Sequence, residues 1–126
     1  MKKLLALAAV SEAATGLVLL VYPPIVVTLL FGDEITGAGI IMSRLAGICL
    51  IAFGVACWPD GNMLRAFLGM LTYNCSVMVY LVYVGVNGGA GILLWPGVAI
   101  HAGLSVLLLR AWWKELSVRP PRSKHP

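Results

Sequence analysis

Four long apolar stretches, separated by short polar breaks, leave this chain few ways to fold. The first runs from Leu4 to Tyr22 and meets Pro23-Pro24. The second runs from Thr36 to Trp58, and the turn-forming Pro59-Asp60-Gly61-Asn62 follows it. The third runs from Met63 to Val86 and is broken by Asn87-Gly88-Gly89, and the fourth runs from Gly91 to Trp113. A helix needs about 20 apolar residues to cross roughly 30 Å of hydrocarbon, and each stretch meets that length. In a chain of 126 residues they leave no space for a separate soluble domain. With 60% apolar and only 11% charged residues, a water-soluble globule, a disordered chain and a soluble nucleic-acid reader are excluded. The expected fold is all-α and integral to a membrane. It is an antiparallel four-transmembrane-helix bundle within residues 1–116, with spans at about 4–22, 36–58, 63–86 and 91–113. The short connections make sequential helices antiparallel neighbours.

Two segments fall outside the spans. Residues 25–31 are apolar but too short to cross, and are expected as an interfacial helix covering the bundle; a lid over an outward-opening cavity is the sharper alternative. Residues 117–126 are basic and Pro-rich, and are expected to form a disordered cytoplasmic tail drawn to anionic lipid.

Basic residues set the orientation. Lys2, Lys3, Arg65, Arg110, Lys114, Arg119, Arg122 and Lys124 all fall on one side of a four-pass chain, so of the nine Lys and Arg only Arg44 stands apart. The first loop on the other side carries Asp33 and Glu34. Both termini are therefore expected in the cytoplasm, across a bacterial-type inner membrane. Trp58, Trp112 and Trp113 fit an inner aromatic belt, and Trp95 and Tyr22 an outer one. The opening Met1–Val10 run and Ser11-Glu12-Ala13 have the look of a secretory signal. The apolar run continues to Tyr22, however, which predicts an uncleaved first helix.

The intramembrane polar residues carry the functional signal. Glu12, Arg44, Asn74 and His101 fall one to a span, each about 12–15 Å from an end of its helix at 1.5 Å per residue. A lone charge at that depth costs roughly 2.5–3.5 kcal/mol. Opposite signs predict a Glu12–Arg44 ion pair inside the bundle, with Asn74 and His101 completing its hydrogen bonds. Small residues support inward pointing. Ala8, Glu12 and Gly16 share a face of the first helix, Gly47 and Gly54 follow Arg44, and Gly97, His101 and Ser105 line the fourth helix. Gly69, Tyr73, Ser76 and Tyr80 form a face beside Asn74, which adds Tyr73 to the candidate ligand- or proton-binding cluster. The alternative is that the same polar groups only fix helix order and register.

Other chemistries find no support. Cys49, Cys57 and Cys75 form no C-x-x-C pair, and packing is the default role of such cysteines. Soft donors for Cu(I) exist in Cys75, Met70, Met78 and His101, but Met at helical spacing reads as packing, so no metal site is expected. His101 is the only intramembrane histidine, so bis-histidine haem is excluded. There is no phosphate-binding loop, dinucleotide fingerprint, zinc-protease motif or nucleophile elbow. No cofactor, no catalytic residue and no nucleic-acid partner is expected.

With one carboxylate, Glu12, in the first of four spans, the chain superficially resembles the small multidrug resistance transporters. That resemblance implies proton exchange at Glu12 in a dimer. Arg44, His101 and the missing aromatic and glycine signature over residues 65–86 depart from the pattern. The span layout and the stretch Ser43-Arg44-Leu45-Ala46-Gly47 resemble the small bacterial four-helix membrane proteins of the DoxX-like type. That resemblance implies an accessory or assembly role beside a larger membrane oxidoreductase. The expected function is a non-enzymatic accessory or ligand-binding membrane protein built around the polar cluster. Two alternatives stand beside it. One is a proton-coupled small-solute transporter acting as a homodimer. The other is a quinone- or lipid-handling subunit using His101 and Tyr73 as proton donors. The expected partners are the bilayer, a larger complex or a second copy, and a small-molecule ligand.

Overall fold

The computed structural model describes residues 1–89 and 91–118, and all of its regular structure is helical. Five helices follow in order: α1 (Lys2–Val21), α2 (Pro23–Phe31), α3 (Ala38–Ala56), α4 (Met63–Val86) and α5 (Leu94–Val118). The four long ones, α1, α3, α4 and α5, are each long and apolar enough to cross a membrane.

Local chemistry sets the boundaries. Pro23 and Pro24 occupy the first turn of α2, where a missing N–H costs nothing. Gly32 ends that helix at φ 75°, a conformation that favours glycine. Asn62 caps α4, its side chain accepting from the Arg65 N–H at 3.1 Å. Pro96 falls in the first turn of α5, so it frees no intrahelical carbonyl and forces no bend. α5 extends through Val118, two residues into the stretch expected as tail. The rest of that expected tail, 119–126, lies outside the described residues.

The long helices alternate in direction. Gly16 meets Gly47 while Ala9 and Ala13 meet Gly54, so α1 and α3 run antiparallel. Asn74 meets His101 and Phe67 stacks on Trp112, so α4 and α5 do as well. α1 against α3 and α4 against α5 are the two extensive pairings, and α1 also touches α4 and α5. The apolar core lies where the pairs join: Leu5, Ala8 and Ala9 of α1 pack with Ala66, Phe67 and Met70 of α4 and Leu108 of α5. α3 is peripheral and buries only Gly47 and Gly54 along its length. Its meeting with α4 is a side-chain contact near one end, through Phe53 on Tyr73 and Cys57 beside Gly69.

α2 is latched in place by main chain. The Leu29 carbonyl accepts from the Leu93 N–H at 2.7 Å, and the Leu30 carbonyl accepts from the Gly91 N–H at 3.0 Å. The last carbonyls of one helix thus satisfy free N–H groups leading into another, where neither set has an internal partner. A Cβ on Gly91 would collide with the Leu29 carbonyl, so this latch requires glycine.

Candidate functional site

Three helices bring polar side chains together one turn beyond the apolar core. Glu12 follows Ala8 by one turn of α1, and Asn74 follows Met70 by one turn of α4. Both are buried, at 5% and 0% exposure. His101 projects from α5 and is half-buried.

Asn74 organises the α4–α5 side of the site. Its Nδ2 donates to the Met70 carbonyl at 2.8 Å. That bond orients the amide and leaves Oδ1 2.8 Å from His101 Nδ1. A carboxamide oxygen only accepts, so His101 donates from Nδ1. One turn further along α5, the Ser105 hydroxyl donates to the His101 carbonyl at 2.8 Å. Cys75 Sγ in turn donates to Ser105 Oγ at 3.6 Å.

Tyr73 joins this network to Glu12. Its hydroxyl lies beside the Glu12 carboxyl. Its ring meets the His101 ring edge-on, with centroids 5.9 Å apart, and packs on Phe53 at 5.0 Å. Carboxyl, phenol, imidazole and carboxamide therefore adjoin one another across α1, α4 and α5. Such groups can bind and pass a proton, or hold a small polar or cationic ligand.

Arg44 is outside this cluster, and the expected Glu12–Arg44 ion pair is not formed. The guanidinium is exposed, and among the described residues the one ion pair joins the Met1 amine to Glu115 at 3.8 Å. The cause is the glycine contact between α1 and α3. A Cβ on Gly47 would lie 2.5 Å from the Gly16 carbonyl oxygen, so the two backbones nearly touch. Arg44 precedes Gly47 by three residues, which sets it about 60° around the helix from the contact. No space for its long side chain exists between the helices, and it turns outward.

The expected α4 face is also divided. Gly69 and Tyr73 face the interior, whereas Ser76 and Tyr80 are exposed. Ser76 and Tyr80 line an open groove of about 560 Å³ with Cys75, Val79 and Tyr83. Phe53, which backs the Tyr73 ring, was not expected at the site. An aromatic residue in an apolar run carries no signal of its own that marks it as a neighbour of a polar cluster. Ser105 was legible, since it follows His101 by one turn. Among the described residues no three of His, Cys, Asp and Glu come together as a metal-holding group.

Comparison with family models, with curated proteins and with solved structures finds no match to this chain.

Proposed function

We propose that the chain is a small, non-enzymatic, multi-pass protein of a bacterial-type inner membrane, with both termini in the cytoplasm. In this reading it serves a larger membrane assembly as an accessory or ligand-binding protein, and the Glu12–Tyr73–His101–Asn74 cluster is its working centre. Membrane insertion is supported by how little of each apolar helix the bundle covers, from 28% of the apolar window in α1 down to 11% in α3. The uncovered remainder is apolar surface that a bilayer would solvate. Orientation is supported by the one-sided placement of Lys and Arg. Retention of α1 is supported by its burial of Leu5, Ala8, Ala9, Glu12 and Gly16, since cleavage after Ala13 would remove most of the core-facing side.

The observation that carries the reading is Glu12. It is 5% exposed, lies beside the Tyr73 phenol, and has no cation within ion-pair distance among the described residues. Ionisable groups within membrane helices are rare and tend to mark ion, proton or ligand sites.

The same observation favours a second reading, a proton-coupled transporter acting as a homodimer. A carboxyl left unneutralised by Arg44 is free to exchange a proton for a cationic solute. Native mass spectrometry of the full chain, extracted gently from its own membrane, separates the two. A stoichiometric larger partner is expected. A bare dimer carrying a small bound mass would contradict the accessory role and support transport.

A further inference from the structure

Arg44 is unexplained by the cluster and needs an account of its own. It lies six residues, about 9 Å, inside the Ala38 end of α3, exposed and without an acidic partner among the described residues. Around it the apolar side chains are periodic. Ile41, Ile48 and Val55 repeat every seven residues, with Arg44 and Ile51 three residues after the first two. Ile41, Arg44, Ile48 and Val55 are exposed, as are Met42, Leu45, Cys49 and Ala52 alongside them, and Ile51 is half-buried at the flank toward α1. Spacings of three and four, with β-branched residues at the seven-residue positions, make a seam for one helix lying along α3.

We infer that this α3 seam docks a transmembrane helix of another protein that carries an Asp or Glu opposite Arg44. The inference rests on the accessory reading above and names the surface and chemistry of the partner. Charge complementarity selects the occupant. One cation in an otherwise apolar seam, at a depth where charge is costly, calls for one carboxylate. A second copy of this chain fits poorly. Two parallel α3 helices would set Arg44 against Arg44, and like charges across an interface are repulsive. Antiparallel copies would require the chain to insert in both directions, against its basic-residue bias. Lipid tails recognise no seven-residue register, and reach of Arg44 to headgroup phosphates is the outcome that adducts to lipid alone would report.

The test uses the full chain in its native membrane, with a photoreactive amino acid at Ile48 and, as control, at Val79 on the outer face of α4. Ile48 is expected to yield a discrete adduct with one membrane helix bearing Asp or Glu, and Val79 none. Arg44→Glu is expected to weaken that adduct about tenfold or more, the effect of breaking a desolvated charge pair. Exchanging the partner's acid for Arg is expected to restore it. Arg44→Gln serves if the reversed charge impairs insertion; it should weaken the same adduct at unchanged yield. Adducts to lipid alone, adducts to a second copy, or an adduct indifferent to both Arg44 variants would overturn the inference. If native mass spectrometry finds no larger complex, the accessory reading falls first. A complex that forms without any Ile48 adduct overturns the docking seam alone.

Discussion

Asn74 Oδ1 and His101 Nδ1 lie 2.8 Å apart across the α4–α5 contact, and a main-chain bond to the Met70 carbonyl fixes which atom Asn74 offers. Backbone thus dictates that His101 donates from Nδ1 to Asn74. Replacing Asn74 with Leu removes the acceptor and strands a partly buried imidazole N–H. The expected loss is about 1–3 kcal/mol of folding stability, read as a lower thermal midpoint in detergent. Ser76→Ala, on the exposed face of the same helix, should stay within about 0.5 kcal/mol.

The crossing of α1 and α3 tolerates no side chain at its centre. Gly16 and Gly47 would each place a Cβ within 2.6 Å of the other's carbonyl oxygen. Gly47→Leu is expected to cost about 2–3 kcal/mol through forced separation of the helices. Gly103 of α5 has nothing within 4 Å of an added Cβ, and Gly103→Ala should leave stability within about 0.5 kcal/mol of the parent. Equal losses at the two positions would refute the close crossing.

The latch between α2 and the start of α5 makes a separate prediction. Gly91→Ala pushes a methyl group into the Leu29 carbonyl and should break the bonds from the main-chain N–H groups of position 91 and Leu93. Hydrogen exchange at the Leu93 amide should accelerate in this variant, while the amide of Met70, in the buried core, should not. Unchanged exchange at Leu93 would show that α2 is held by its side chains instead.

Arg44 has no role in holding the single chain together. Arg44→Gln should change the thermal midpoint of the purified chain by no more than about 0.5 kcal/mol equivalent, as for other exposed positions. A large loss would restore the intramolecular ion pair that charge and depth first suggested.

Much of the helical layout was legible because apolar runs bounded by Pro, Gly and Asn mark helix ends plainly. Met63–Val86 is bounded as expected, and the double proline starts α2. Depth along a helix was also legible, which brought Asn74 and His101 together. Azimuth was not. Matching Glu12 to Arg44 used depth and charge sign, but a rotation of about 60° from the Gly47 contact decides whether a side chain enters the bundle. Tyr73 was grouped with Ser76 and Tyr80, although only Tyr73 turns inward. Its approach to Glu12 depends on how α1 sits against α4, a tertiary relationship that neither helix encodes alone.

A double-mutant cycle between Glu12 and Tyr73 tests the cluster most directly. Thermal stability is measured for Glu12→Leu, Tyr73→Phe and both together, beside a parallel cycle of Glu12→Leu with Arg44→Gln. The Glu12–Tyr73 pair should show a coupling of about 0.5–3 kcal/mol, and the Glu12–Arg44 pair should be additive within roughly 0.5 kcal/mol. Coupling between Glu12 and Arg44 with none between Glu12 and Tyr73 would contradict the cluster.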